Sequence, residues 1–164
     1  MKSIFPVRQA LRLPTYDYGS VGIYFVTLCT ENRRCYFGEI RDDVMALNPV
    51  GERIRQTWLW LGDQYPHVGL DDFTVMPNHL HGIIEIRTAG LKPLGQLIGA
   101  FKTVSAKAVK PLLNMPDSLW QRGYYESILR TERSLQNVRQ YIRDNPKNWS
   151  RDPNNPIQPT PSTP

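Results

Sequence analysis

The 164-residue sequence predicts an α+β domain built on one antiparallel sheet, and three observations carry that prediction. Strand-like and helix-like periodicities follow one another in the order β, α, β, β, α, β, α. Two of the strand signals are separated only by the turn pair Pro77-Asn78, a connection that suits a hairpin and is too short for a parallel crossover. The length is that of one domain, enough to bury roughly two-thirds of the unfolded surface in a single core.

The elements are read in order. After turn chemistry at Tyr16-Asp17-Tyr18-Gly19-Ser20, the run Gly22 to Thr30 is dense in β-branched and aromatic residues and predicts the first strand. Glu31 to Arg34 reads as a loop, and Cys35 to Ile40 as a short second strand or an extension of the first. Val50, Ile54, Trp58 and Leu61 then recur at helical spacing from Pro49 to about Gln64, with Asn48 as cap and Pro49 at the first position. Val68 to Met76 and His79 to Ile86 are the two hairpin strands. A second helix runs from Leu94 to about Lys110, with Leu94, Leu97, Ile98, Phe101, Val104 and Val109 on or near its apolar side. Leu119 to Leu129 is strand-like. Thr131 caps a last helix with the stripe Leu135, Val138 and Ile142, and Asn145-Pro146 ends it. The first six of these seven elements form a ferredoxin-like split βαβ arrangement, with two helices on one face and the other face open to a ligand or to the final helix. The folded domain is expected over residues 1–150. Residues 151–164 are proline-rich and nearly devoid of apolar side chains, which predicts a disordered tail that adds nothing to the core.

No apolar run approaches the ~18 residues of a membrane span, and the N-terminus lacks the continuous apolar stretch of a signal peptide, so a cytoplasmic protein is the expectation. Cys29 and Cys35 are read as free thiols. Twenty Lys and Arg against fifteen Asp and Glu leave a net charge of +5, which suits a polyanionic partner without proving one.

Chemistry concentrates in two stretches. On a strand, His79 and His81 project from one face while Leu80, Gly82 and Ile84 project towards the core, so two imidazoles can share a metal ion. Alone, such a pair is also compatible with ordinary solvent-facing histidines. His67, beside Pro66, reads as a loop residue. On the last helix, Tyr141 and Asn145 are one turn apart, placing a phenol beside an amide. Alone, that pair reads equally as a half-buried tyrosine and a helix-ending asparagine.

Taken together, the sequence resembles the REP-associated tyrosine transposases, relatives of the small single-tyrosine HUH transposases. The resemblance rests on the run MPNHLHGI with its His79-Leu80-His81 motif, on Gly99-Ala100-Phe101-Lys102, and on Leu119-Trp120-Gln121-Arg122-Gly123-Tyr124-Tyr125. The closing Tyr141-Ile142-Arg143-Asp144-Asn145-Pro146 completes it, and it spans about Tyr16 to Trp149.

The resemblance implies a metal-dependent DNA strand transferase. His79, His81 and Asn145 would hold a divalent ion against the scissile phosphate, and Tyr141 would attack to form a 5′-phosphotyrosine and release a 3′-hydroxyl, a step that a second strand's hydroxyl can reverse. Two imidazoles and an amide would favour zinc by donor type; the resemblance implies magnesium, with manganese as the alternative. It implies single-stranded hairpins of repetitive extragenic palindromes as substrate, in a bacterial, nucleoid-associated setting; it admits both monomers and homodimers, and a monomer is the expectation. Arg33, Arg34, Lys102, Lys107, Arg122, Arg139 and Arg143 are candidate phosphate contacts, Tyr124 and Tyr125 candidate stacking platforms, and Arg8 and Arg12 candidate readers of a sequence flanking the hairpin.

Two binding modules compete with the enzyme. A catalytically idle palindrome-binding protein would need none of His79, His81, Tyr141 and Asn145. An RNA-binding ferredoxin-like domain would carry paired aromatics on its central strands, where this chain presents imidazoles.

Overall fold

The computed structural model describes residues 21–157. Its principal sheet has the strand order β4-β5-β1-β6, every neighbour antiparallel, with β1 at Gly22–Cys29, β4 at Val68–Met76, β5 at His79–Ile86 and β6 at Tyr125–Ile128. This is the split βαβ order expected. Helices α1 (Pro49–Gln64) and α2 (Leu94–Val109) cover one face, and α3 (Glu132–Asp144) lies on the other.

Alternation along the strands divides the core in two. Tyr24, Val26 and Leu28 of β1, with Leu80, Ile84 and Ile86 of β5, pack against Ile54, Trp58 and Leu61 of α1 and Leu97, Ile98 and Phe101 of α2. Phe25 and Ile83 point the opposite way and meet Leu135, Val138 and Ile142 of α3. Both faces of the two central strands are therefore covered, which is why nearly every residue of β5 is buried. The α1 and α3 starts follow their caps: Asn48 Oδ1 accepts from the Gly51 N–H at 2.9 Å, and Thr131 and Ser134 exchange hydrogen bonds between side chain and backbone. On α2 the buried side chain at the edge of the stripe is Ser105, not Val104, because its hydroxyl accepts from the indole N–H of Trp120 at 3.0 Å.

Three sequence expectations are corrected. Of the two readings of Cys35 to Ile40, the short second strand holds, though only from Gly38 onward, and the extension of the first strand does not. The end of that segment forms β2 (Gly38–Arg41), which pairs with β3 (Val44–Leu47) in a separate hairpin turned by Asp42 and Asp43, both at positive φ. The strand expected over Leu119 to Leu129 is regular only at β6. Trp120 makes an isolated bridge to Thr30, and the chain then turns outward through Gly123 at φ +76°. Lys102 Nζ donates to the carbonyls of Gln121 and Gly123, and these bonds hold the excursion in place. Finally, residues 151–157 do not form the disordered start of a tail. They follow the short 3-10 turn Trp149–Arg151 and fold back over the end of the sheet, with Asp152 buried. The reason is polar: this segment offers backbone and amide groups to Asn78, Cys29 and Arg33, contacts that an apolar pattern cannot announce.

Candidate active site

The β1–β5 register places Cys29 opposite His79 and Thr27 opposite His81, so both imidazoles emerge on the α3 side of the sheet. Each is oriented through its Nδ1. Asn78 donates from its amide nitrogen to the carbonyls of Arg33 (3.0 Å) and Asn154 (2.7 Å), which leaves its oxygen facing His79 Nδ1 at 2.9 Å. An oxygen there can only accept, so the His79 proton sits on Nδ1 and Nε2 is left as a lone pair. His81 Nδ1 lies 2.7 Å from the Thr27 hydroxyl, and its Nε2 likewise faces the site.

The two rings are 4.6 Å apart. Burial lowers the pKa of both, His81 well below the ordinary value with the neighbouring His79 adding to the effect; for His79 the nearby Asp152 carboxylate partly opposes the shift. Both are therefore neutral near pH 7 and able to donate lone pairs.

Helix α3 brings the second pair of residues. Tyr141 lies with its ring 5.3 Å from that of His81 and edge-on to Phe25 at 6.1 Å. Asn145, the C-terminal cap of α3, is buried beside both Tyr141 and His79. Burial raises the Tyr141 pKa above its usual value, with the Asp152 charge adding to the rise and the Asn145 hydrogen bond opposing it. In this state the phenol is fully protonated at neutral pH.

His79 Nε2, His81 Nε2 and Asn145 Oδ1 are buried atoms without a hydrogen-bond partner. Buried acceptors are rarely left unpaired, and three converging on one spot suit a cation. Among the described residues no three His, Cys, Asp or Glu side chains cluster as a metal site; here the third donor is an amide. By donor chemistry the set fits a divalent ion.

Comparison with known proteins bears on this geometry. The sequence pattern described as "Transposase IS200 like" matches residues 22–145, from the start of β1 to Asn145. The chain belongs to the IS200-like transposase family. A Haemophilus influenzae protein of uncharacterised function is 36% identical to this transposase over 165 residues, covering 88% of this chain and 91% of its own. Among solved structures, a REP-associated tyrosine transposase bound to a REP hairpin superposes with a TM-score of 0.63 at 19% identity, covering 85% of this chain and 73% of the other. A Deinococcus radiodurans protein proposed to be a transposase superposes at 0.53 and 18% identity, covering 82% and 97%. At those identities the likeness is one of fold.

The residues considered for DNA contact are placed unevenly in this transposase. Arg33 and Arg34 are exposed in the loop after β1, at the His79 end of the sheet, and Arg33 donates to the Pro153 carbonyl at 3.1 Å. Arg122 is exposed on the excursion before β6. Lys102 is occupied by the two backbone carbonyls and sits 5.9 Å from the Tyr124 ring. Tyr125, not Tyr124, shares the face of the histidines, with its ring 6.0 Å from Phe25. Arg139 and Arg143 are paired with Asp71 and Asp72 of β4. Arg8 and Arg12 lie outside the described residues.

Several residues of the site were not singled out in the sequence. In the sequence Asn78 reads as half of a turn and as part of the MPNHLHGI run, with no role of its own, although a side-chain amide directly before a histidine is a usable signal. Thr27 becomes meaningful only through the β1–β5 register. Trp149, whose ring stacks over His79 at 6.1 Å, and Asp152, whose Oδ2 lies 3.6 Å from His79 Nε2, had no local signal. Cys29, beside Asn154, has its thiol pushed up to about 11 by burial, which leaves it unreactive. No helix of the described residues is long and apolar enough to cross a membrane.

Proposed function

We propose that this transposase cleaves single-stranded DNA at the foot of a hairpin of the repetitive extragenic palindrome type and rejoins strands through a 5′-phosphotyrosine at Tyr141. The observation that carries the reading is the convergence, within one chain, of His79 Nε2, His81 Nε2 and Asn145 Oδ1 beside the Tyr141 ring. The hairpin bound to the REP-associated relative supports the substrate class.

His79, His81 and Asn145 would hold a magnesium ion, with manganese as the alternative. When bound, the ion supplies positive charge against the phosphate oxygens and favours the Tyr141 phenolate. Asn78 and Thr27 keep the imidazole lone pairs aimed at the site, and Asn145 hydrogen-bonds the phenol. Tyr141 loses its phenolic proton to solvent as Oη attacks phosphorus; an Oη–phosphorus bond forms, the P–O3′ bond breaks, and the departing 3′-oxygen takes up a proton to give a 3′-hydroxyl. The reverse attack by a 3′-hydroxyl restores a phosphodiester, because the covalent intermediate retains the bond energy. Since one chain supplies both histidines and the tyrosine, a monomer suffices. Such a substrate places the protein on the bacterial chromosome.

The test is a denaturing gel of the protein mixed with a single-stranded hairpin and Mg2+ or Mn2+. The reading requires a cleaved 3′-hydroxyl product and a covalent protein–DNA band, both lost with EDTA. Hairpin binding without either product would leave only the idle binding module.

A further inference from the structure

We propose that the loop after β1, residues 31–34, is a positioning element for His79 that acts through the side-chain amide of Asn78. Its bearing on the reaction rests on the proposed function, in which the lone pair of His79 Nε2 is used.

The two ends of a primary amide are alike in shape and differ in hydrogen bonding. With the Asn78 oxygen towards His79, as found at 2.9 Å, the imidazole proton sits on Nδ1. With the amide turned over, its NH2 would donate to Nδ1, the ring proton would move to Nε2, and an N–H would point into the site. Asn78 and His79 are both buried, so neighbouring protein groups make the choice.

Those groups are two main-chain carbonyls, which can only accept. Asn78 Nδ2 donates to that of Arg33 at 3.0 Å and to that of Asn154 at 2.7 Å. Turned over, the amide would set oxygen against oxygen twice. The Arg33 carbonyl reaches Asn78 along an uncommon backbone path: Asn32 and Arg33 stand at φ +55° and +54°, a region that residues other than glycine seldom adopt. Such strain persists where the surroundings over-determine it. Here the Thr30 N–H and hydroxyl both donate to the main-chain carbonyl of Asn78, at 2.9 and 3.1 Å, and the Glu31 N–H donates to that of Leu119 at 3.0 Å. The Arg33 N–H returns to the Thr30 carbonyl at 3.2 Å, and its guanidinium donates to that of Pro153 at 3.1 Å. The loop therefore holds the backbone and the side chain of Asn78 at once. His81 lacks such a device. The Thr27 hydroxyl, 2.7 Å from its Nδ1, can donate or accept, and orients the ring without choosing the tautomer.

Long-range 1H–15N NMR of the histidine rings in the 15N-labelled full chain, free of metal and DNA and at a pH where both rings are neutral, reads the tautomers directly. The wild type is expected to carry the His79 proton on Nδ1. Asn78→Ala should move it to Nε2, the form that free histidine prefers. Arg33→Gly and Arg33→Val both remove the guanidinium, but glycine accepts the left-handed backbone and valine resists it. Arg33→Gly should keep the wild-type tautomer, and Arg33→Val should show a resolvable population with the proton on Nε2. A wild-type His79 protonated on Nε2, an Nδ1 proton that survives Asn78→Ala, or the same tautomer in both Arg33 variants would each overturn the loop's role. Should Asn78→Ala not fold, the Arg33 pair decides; should Arg33→Val not fold, Asn32→Val weighed against Asn32→Gly takes its place. With the hairpin and Mn2+, Asn78→Ala is expected to form covalent adduct about ten- to a hundredfold more slowly. An unchanged rate beside a moved proton would overturn the bearing of the tautomer on the reaction. A wild type that forms no adduct yet keeps the Nδ1 proton would overturn the proposed activity and leave the loop's hold on His79 standing.

Discussion

Arg139 on α3 grips the carboxylate of Asp71 on β4 with two hydrogen bonds, Nε to Oδ1 at 2.8 Å and Nη2 to Oδ2 at 2.6 Å. One turn further along the helix, Arg143 Nε lies 2.8 Å from Asp72 Oδ2. Both aspartates sit where β4 slips register against β5, between Leu70 and Phe73. The irregularity turns two carboxylates towards the helix that carries Tyr141. With the stripe Leu135, Val138 and Ile142 beneath, these ties set the rotation of α3 and hence where the phenol points.

Replacing Asp71 by Asn should therefore lower the melting temperature by a few degrees at pH 7 and slow formation of any covalent adduct while leaving hairpin binding in place. The Arg139 hydrogen bonds hold the Asp71 pKa below the ordinary carboxylate range. The unfolded chain then binds more protons than the native one as the medium acidifies. The stabilisation is complete above the unfolded value near ~3.9. It is lost as pH falls through the lower folded value. Melting curves of the two proteins should converge over that window; a gap that persists below it would refute the account.

His79→Ala and His81→Ala should each abolish cleavage in Mg2+ yet retain hairpin affinity within a few-fold, because the lost lone pairs are the ones proposed to hold the ion and not part of the apolar core. Gel-shift and cleavage assays on the same preparations make the comparison. Wild-type rates in the double variant would remove the metal reading.

Tyr141→Phe deletes one hydroxyl and should eliminate the covalent adduct, a loss of at least a thousand-fold. Tyr125 is the stronger rival of the two strand tyrosines, since it shares the sheet face of the histidines, but Thr27 of β1 stands between it and His81 in the sheet register, whereas the Tyr141 ring packs on His81 directly. Tyr125→Phe and Tyr124→Phe should both keep the adduct. Mass spectrometry that maps a nucleotide to either strand tyrosine would displace Tyr141 as nucleophile.

Truncation after Arg151 removes the partners of Asn78 and Cys29 and the Pro153 carbonyl that Arg33 holds. At about 1 kcal/mol for each good hydrogen bond, the melting temperature should fall by more than ~5 °C. An unchanged melting temperature would show that residues 152–157 contribute nothing to the fold.

Gly82 follows the second histidine and faces α1. A Cβ there would lie 2.2 Å from Trp58 Cζ2, so the indole packs directly on the backbone of β5. Gly82→Ala should cost about 1–3 kcal/mol through forced displacement of Trp58. Calorimetry checks it, and a neutral substitution would mean that the indole has room to shift.

What the sequence by itself determined is whatever short-range rules control. Helical periodicity with Asn48 and Pro49 marks α1 from Pro49 to Gln64, and the Pro77-Asn78 turn with strand alternation marks β4 and β5 to the residue. Thr131 marks the start of α3. The same rules put His79 and His81 on one strand face and Tyr141 and Asn145 on one helix face, because those pairs lie within four residues of each other. They failed where the neighbours were remote. The β2–β3 hairpin turns on two aspartates with no glycine to announce it, and the strand before β6 is interrupted by bonds from Lys102, 19 and 21 residues away. Only the tertiary structure decided that the two pairs meet, that Asn78 fixes the His79 tautomer, and that Asp71 anchors a helix 68 residues later. It alone placed Asp152, in a stretch whose composition reads as disorder, against His79. Its place comes from directional hydrogen bonds to groups that only the folded sheet gathers, and such bonds leave no periodic trace in the chain that makes them.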